Sequence, residues 1–244
     1  MSWPPCSFRQ SGYQDSSFGA LISYQKGYTI QLITFTVIVF FVNTRLNSLE
    51  KVFNALIDSY IENKIGIATD FLNESLARHL KDNLTRCFDQ NKFLMAGTGQ
   101  FDQVEHDHST RSDQIYWLDR THDDEYENSF FDLMDLFVAH LNATCYTGIK
   151  SYEFHYTLYG AGSFYAVHLD QFRNNDSRQY SMILYLNDQW QEQDGGELCI
   201  HHEQNIQLIT PINGRSVFFK SNELRHEVLL TYKPRMSITG WLKG

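Results

Sequence analysis

Two histidines, an aspartate and an arginine occur in the C-terminal part of the chain in an order that constrains both fold and chemistry. His168 and Asp170 are separated by one residue, and His226 and then Arg235 follow later. In a β-strand, residues i and i+2 point to the same face, so His168 and Asp170 can reach one ion. Neutral imidazole and carboxylate suit iron(II), and three such ligands leave other coordination positions open. The sequence therefore predicts a mononuclear iron(II) site whose third ligand, His226, comes from a strand that pairs non-locally.

The strand that Arg235 opens has two faces of different character. Period two puts a guanidinium, two hydroxyls and an indole on one face and apolar side chains on the other. The polar face consists of Arg235, Ser237, Thr239 and Trp241. A buried arginine needs an anion, and its planar fork fits a carboxylate in a bidentate way. The far carboxylate of 2-oxoglutarate is the natural candidate for this anion.

Several segments between about Tyr152 and Trp241 extend the pattern beyond these residues. They are residues 156–165, 178–187 with Trp190, 195–198, 226–228 and 235–241. On these segments the chain resembles the 2-oxoglutarate- and iron(II)-dependent dioxygenases of the prolyl 4-hydroxylase superfamily, which include hypoxia-sensing prolyl hydroxylases and their bacterial relatives. The resemblance implies a mainly β fold, a double-stranded β-helix or jelly-roll (cupin-like) barrel, preceded by N-terminal helices.

The resemblance also implies a role for individual residues, carried over position by position. The implied iron ligands are His168, Asp170 and His226. Among the implied cofactor-binding residues, Arg235 would pair with the far carboxylate of 2-oxoglutarate and Tyr185 would donate a hydrogen bond to the same carboxylate. The other two implied cofactor-binding residues are Tyr159 and Thr239. The residues implied to flank the substrate are Arg178, Trp241 and Tyr165.

The activity that the resemblance implies is hydroxylation of a prolyl residue in a protein or peptide, with release of succinate and carbon dioxide. It requires Fe(2+), 2-oxoglutarate and dioxygen, with ascorbate as a candidate reductant. A carboxylate at Asp170 fills the position that some halogenating relatives leave for chloride, which favours hydroxylation. Two alternatives stay open: a hydroxylase of a small molecule such as a free amino acid, and a non-catalytic metal-binding barrel module.

The net charge of the chain bears on whether it binds nucleic acid, and its cysteine spacing bears on its compartment. The 244 residues carry a formal net charge of −9 and a sequence pI near 5.5, so the surface would repel phosphate backbones. A nucleic-acid dealkylase would also be expected to carry an arginine where this chain has Trp241. We therefore expect no nucleic-acid partner.

The four cysteines are far apart, without the spacing of a zinc knuckle or a disulfide framework, which favours a reducing, cytoplasmic location.

Other histidines occur in groups that we do not interpret as metal sites. His122 precedes two aspartates in an acidic stretch without alternation, which is interpreted as a solvated loop. The sequence 106–108, His-Asp-His, lies in a polar segment. His201 and His202 are adjacent, and the side chains of adjacent residues in a strand point to opposite faces.

The hydrophobic periodicity predicts helices over residues 48–61, 73–87 and 129–141, before a catalytic barrel core of about 150–244. Strands are predicted over residues 65–70, 114–118, 152–159, 164–170, 180–187, 197–201, 217–220 and 235–242. We assign residues 46–244 to one iron(II)/2-oxoglutarate dioxygenase domain.

Residues 1–45 do not fit this plan and are treated as an N-terminal extension. The apolar stretch at 30–42 is short for a membrane span, which needs about 20 apolar residues. Three interpretations stay open: a membrane-proximal anchor involving residues 28–42, an additional element that covers the barrel, or sequence upstream of the true start. We favour the third, although the next methionine after Met1 is Met95. No membrane partner is expected.

Overall fold

Two of the described helices begin directly after a residue whose side chain accepts backbone hydrogen bonds. The computed structural model describes residues 47–97, 110–171 and 176–244, so residues 1–45 and the histidines at 106–108 lie outside it. The helices are α1 (47–63), α2 (Glu74–Asp89) and α3 (Glu125–Cys145). The Asn73 side chain caps α2 by accepting a 2.9 Å hydrogen bond from the Leu76 amide.

The start of α3 corrects the sequence interpretation. The Asp124 carboxylate accepts hydrogen bonds from the amides of Tyr126 and Glu127, each at 3.0 Å, so the helix begins at Glu125 rather than at 129. The acidic segment after His122 is therefore not a solvated loop. Its carboxylates lie at the positive end of the helix dipole, where negative charge is stabilising. The helix also continues to Cys145, past the predicted end at 141.

Eleven strands lie within the described residues. They are β1 (Gly66–Thr69), β2 (Leu94–Met95), β3 (Gln114–Trp117), β4 (Ser151–Tyr159), β5 (Tyr165–His168), β6 (Arg178–Tyr185), β7 (Leu198–His201), β8 (Ile206–Ile209), β9 (Arg215–Lys220), β10 (Arg225–Val228) and β11 (Arg235–Lys243). Strands β2 and β8 were not predicted, and the strand expected to carry His226, β10, had no predicted bounds. Strand β10 begins at Arg225, and its backbone pairs with β5 on one side and β7 on the other.

The strands form two antiparallel sheets. The larger has the order β1-β9-β6-β11-β4-β3-β2, and the smaller has the order β5-β10-β7-β8. Non-consecutive strands are neighbours in both, as in the predicted jelly-roll. The chain is thus mainly β with N-terminal helices, as predicted.

The two faces of the large sheet have different neighbours. One face packs on the helices, in a core that includes Met182, Phe218, Ile238 and Leu242 together with residues of α1, α2 and α3. The other face and the small sheet enclose a second core, with Tyr185 and Val217 from the large sheet and Leu198, Ile200 and Val228 from the small one. The polar face of β11 therefore lies between the sheets.

The contacts divide the chain after Ser48, and the unit Leu49–Gly244 contains all of the named strands. Among the described residues, α1, α2 and α3 included, no helix is both long enough and apolar enough to cross a membrane.

Candidate active site

Three side chains that can bind a metal meet on the inner side of the small sheet. His168 on β5 lies directly opposite His226 on β10, and their ring centroids are 4.3 Å apart. Asp170, two residues after His168, places Oδ1 3.5 Å from His168 Nε2 and Oδ2 3.6 Å from His226 Nε2. The structure thus brings together the three predicted ligands, with one carboxylate between two imidazole nitrogens.

Backbone contacts fix the orientation of both imidazoles. His168 Nδ1 lies 2.8 Å from the Ala166 carbonyl, and His226 Nδ1 lies 3.0 Å from the Leu224 carbonyl. Because a carbonyl oxygen only accepts, each Nδ1 must carry the hydrogen, which leaves a lone pair on each Nε2. Hydrogen bonds of this kind hold metal-binding histidines in one tautomer and orientation. The donor set therefore fits a divalent iron ion.

The electrostatics of the cluster favour the protonation states that metal binding needs. Burial alone would raise the pKa of Asp170, but His226 and His168 together hold it well below its usual range. Burial lowers the pKa of His226, against the opposing effect of the Asp170 carboxylate. At neutral pH the cluster therefore combines an ionised carboxylate with a neutral His226.

The cluster of His168, Asp170 and His226 lines a cavity of about 760 Å³, within the range of roughly 300–1,000 Å³ that small-molecule sites occupy. Strands of both sheets contribute to its wall. The lining includes Tyr159, Thr157 and His155 from β4, Arg178 and Ile183 from β6, Leu198, Val228, and Arg235, Thr239 and Trp241 from β11.

Arg235 is a buried cation without an anionic partner among the described residues. Its side chain is fully enclosed, with the residue 2 % exposed. Nε donates to the Gly196 carbonyl at 2.8 Å, and Nη2 donates to the Tyr185 hydroxyl at 3.3 Å. Burying an uncompensated charge is costly. A carboxylate bound in the cavity would therefore find both charge compensation and a bidentate donor at Arg235.

The other predicted cofactor-binding residues lie close to Arg235. The rings of Tyr159 and Tyr185 each have their centroid 5.0 Å from the Arg235 guanidinium carbon. Strand register explains this, because Tyr159 is directly opposite Arg235 across the β4–β11 ladder. Thr239 follows on the same face, with its hydroxyl 3.2 Å from that of Ser237. Tyr185 and Thr239 belong to adjacent strands, β6 and β11.

The predicted substrate-flanking residues form two ring stacks. The Arg178 guanidinium carbon lies 3.4 Å from the centre of the Trp241 ring, and Arg178 is also paired with Glu153 at 2.8 Å. The buried Trp241 Nε1 has no hydrogen-bond acceptor among the described residues. The Tyr165 ring lies against His168 at 3.6 Å, and the Arg111 guanidinium carbon lies 4.2 Å from its centroid.

The sequence analysis missed several cavity residues, including Arg111, Asp113, Trp117 and His155. Arg111 is paired with the fully buried Asp113 at 2.6 Å. The ring of His155 lies 4.9 Å from that of Trp117, and burial lowers its pKa to about 4. The alternation of polar and apolar residues along β4 could have identified His155 as a cavity residue, because His155 lies on the same face of the strand as Tyr159.

A two-sheet antiparallel fold that brings two histidines, an aspartate and a buried arginine to one cavity is typical of mononuclear iron(II) oxygenases. Comparison with known proteins agrees. The sequence model of the 2OG-Fe(II) oxygenase superfamily matches residues 154–243.

Two solved prolyl hydroxylase structures are similar to this chain over most of its length. A prolyl-4-hydroxylase from Pseudomonas putida is 32 % identical with a TM-score of 0.72, and the match covers 79 % of this chain and 100 % of that chain. A prolyl hydroxylase from Trichoplax adhaerens, in complex with a hypoxia inducible factor peptide, is 26 % identical with a TM-score of 0.68; the match covers 82 % of this chain and 92 % of that one. A prolyl 4-hydroxylase from Phytophthora capsici, 20 % identical with a TM-score of 0.65 over 80 % of this chain and 65 % of that chain, supports the fold alone.

The chain belongs to the 2OG-Fe(II) oxygenase superfamily and, within it, is of the prolyl-4-hydroxylase type. The predicted double-stranded β-helix and the prediction of a 2-oxoglutarate-dependent dioxygenase are therefore confirmed. Membership of the family implies Fe(2+) as the metal cofactor, with 2-oxoglutarate and dioxygen as the cosubstrates.

Proposed function

We propose that this chain is a 2-oxoglutarate- and iron(II)-dependent hydroxylase of a prolyl residue in a protein or peptide. The observation that carries the proposal is the meeting of three features at one cavity. These are the two-histidine, one-aspartate cluster, the buried Arg235 without an acidic partner among the described residues, and the Arg178–Trp241 stack. We assign residues 46–244 to the dioxygenase domain.

His168, Asp170 and His226 would hold the iron(II) ion, with the backbone carbonyls of Ala166 and Leu224 fixing the two imidazoles. Together, bound iron(II) and 2-oxoglutarate supply the oxidising chemistry, which consumes dioxygen and releases succinate and carbon dioxide. Ascorbate is proposed as the reductant that keeps the ion in the iron(II) state.

Arg235 would bind the far carboxylate of 2-oxoglutarate through its guanidinium, and the Tyr185 hydroxyl would donate a further hydrogen bond. Tyr159 and Thr239 would complete this end of the cavity. The apolar side chains Ile183, Leu198 and Val228 also line the cavity. By excluding water, these side chains would strengthen the pairing of Arg235 with the carboxylate.

A cluster of rings offers a place for the pyrrolidine ring of proline. His155 lies 4.9 Å from Trp117 and 5.5 Å from Trp241, measured between ring centroids. A prolyl residue presents an apolar ring and no backbone N–H, so it can pack against such rings without leaving a buried donor unsatisfied. Arg178, which lines the cavity beside these rings, would donate to a carbonyl of the adjoining peptide.

The cavity opening supports a peptide more than a free amino acid. Leu94 and Trp117 line the cavity and are 72 % and 44 % exposed, so large apolar side chains stand at its opening. A peptide that extends from the cavity would cover this surface, whereas a free amino acid would lie within the cavity. The Trichoplax relative, whose structure holds a peptide, provides a second reason for this choice.

The test uses the full chain with iron(II), 2-oxoglutarate and ascorbate. Candidate substrates are a set of extended prolyl peptides, each with an alanine-for-proline control, and free proline. We expect succinate release to increase with a prolyl peptide, and the peptide to gain one oxygen atom, about 16 Da. If free proline is oxidised and no peptide is, the substrate is a small molecule rather than a protein. An absence of 2-oxoglutarate turnover with every substrate would instead favour the non-catalytic module.

A further inference from the structure

A second group of metal-binding side chains lies on the outer face of the small sheet. It consists of Cys199 and His201 on β7 and Glu227 on β10, and we refer to these three residues as the outer cluster. Cys199 and His201 are two residues apart, so they share a face, and Glu227 is directly opposite Cys199 in the β7–β10 ladder. The intervening Ile200 belongs to the inner core, so the cluster faces the other way.

The three donor atoms are already close together. His201 Nε2 is 3.8 Å from Cys199 Sγ and 2.8 Å from Glu227 Oε1, and all three ligand atoms lie within 4.8 Å of one another. Tetrahedral Zn²⁺ with bonds of about 2.0–2.3 Å places its ligand atoms roughly 3.3–3.8 Å apart. The sulfur–nitrogen distance thus suits one ion without rearrangement, and the nitrogen–oxygen pair needs to open by less than about 1 Å.

The charge of the outer cluster favours a cation. Among the described residues, the only ionic partner of Glu227 is His201. A divalent cation would compensate both the carboxylate and a thiolate, which a hydrogen-bonded His201–Glu227 pair cannot do.

We propose that the outer cluster is a binding site for a borderline-soft divalent cation of the Zn²⁺ class, separate from the iron site. Thiolate with imidazole and carboxylate favours Zn²⁺, whereas the donor set of His168, Asp170 and His226 contains no sulfur. The two sites lie on opposite faces of β10, since His226 faces inward and the next residue, Glu227, faces outward. An ion bound at the outer cluster would link β7 to β10 at Glu227, the residue that follows the iron ligand His226.

Co²⁺ is the probe that separates the two sites. Bound through a thiolate it gives a sulfur-to-metal charge-transfer band in the near ultraviolet, whereas the iron site offers Co²⁺ no sulfur. We expect this band when the full chain is titrated with Co²⁺, and we expect Zn²⁺ to remove it. Asp170→Ala should keep the band, because it disables only the iron site.

The variants assign the band to the outer cluster. Cys199→Ser should abolish it, whereas Cys6→Ser and Cys145→Ser, the matched controls, should retain it. His201→Gln and Glu227→Gln alter only partly exposed side chains, so they test the site if Cys199→Ser does not fold; each should weaken Co²⁺ binding about 10-fold or more. Absence of the band in the unmodified chain, its persistence in Cys199→Ser, or undiminished binding in both His201→Gln and Glu227→Gln would overturn the proposal.

Discussion

The guanidinium of Arg178 stacks on the indole of Trp241, with its central carbon 3.4 Å from the ring centre, while the Glu153 carboxylate binds the same guanidinium at 2.8 Å. Burial alone would raise the pKa of Glu153, but Lys243 and Arg178 hold it below its usual range. The carboxylate therefore stays ionised and fixes Arg178 over the ring. Arg178 of β6 and Trp241 of β11 thus line the cavity together, and Glu153 of β4 holds Arg178 in place.

The Arg178–Trp241 pair should matter for the substrate more than for the cosubstrate. Arg178→Ala and Trp241→Ala are each expected to lower kcat/KM for peptide hydroxylation by roughly 10-fold, since cation–π and interface contacts of this kind contribute about 1–2 kcal/mol. The slow turnover of 2-oxoglutarate without substrate should be largely retained. Parallel assays of succinate with and without peptide measure both activities. If both fall equally, these residues have a structural role only.

The metal-binding assignment predicts a loss of chemistry without a loss of fold. His168→Ala or Asp170→Ala removes one of three ligands and should reduce 2-oxoglutarate turnover to background. Iron binding, measured by equilibrium dialysis, should weaken while the circular dichroism spectrum remains native. His140→Ala, in α3 and outside the cavity lining, is the matched control and should retain turnover. Full iron binding and activity in both variants would disprove the assignment.

Arg235→Lys tests the bidentate contact with the cosubstrate. Lysine keeps the charge but loses the planar fork, so half-saturation should require about 10- to 100-fold more 2-oxoglutarate, the equivalent of roughly 1.5–3 kcal/mol. Iron binding should change little. Tyr185→Phe removes one hydroxyl and should have a smaller effect, on the order of 1 kcal/mol. An unchanged 2-oxoglutarate requirement in Arg235→Ala would place the anion site elsewhere.

Gly196→Ala should displace the side chain of Arg235. Gly196 has a φ of +68°, and an added Cβ would lie 3.1 Å from Arg235 Cδ. Gly148 provides a control, because its φ is +69° but nothing lies within 4 Å of the added atom. Both substitutions should cost about 1–2 kcal/mol of unfolding free energy from the backbone. Only Gly196→Ala should also raise the 2-oxoglutarate requirement; an equal effect in Gly148→Ala would refute the contact.

His155 predicts a loss of stability as the pH falls. Burial lowers its pKa to about 4, whereas an unfolded histidine titrates near 6.5. Between these values the unfolded chain binds a proton that the folded chain does not, so stability must decrease with decreasing pH. From pH 6.5 to 5 this contribution amounts to roughly 2 kcal/mol. Urea unfolding at both values should show a shallower pH dependence in His155→Gln; an unchanged dependence would contradict the buried, neutral state.

The sequence by itself determined the features that depend on short-range geometry. The two-residue spacing of His168 and Asp170 puts both on one face of an extended segment, whatever the partner strand. The alternation of β11 likewise separated the Arg235 face from the Ile238 face, which packs against the helices. These properties follow from backbone periodicity and from the choice of side chains, and the family resemblance added the expected roles.

Only the tertiary structure decided which distant residues meet. The short strand β10, which carries His226, is defined by its pairing with β5 and β7, so its bounds could not be predicted from local pattern alone. The pairing of β4 with β11 places His155 in the cavity wall, and the pairing of β7 with β10 places Glu227 opposite Cys199. Strand register is set by long-range pairing and core packing, whereas a one-dimensional pattern records only which side chains could share a face.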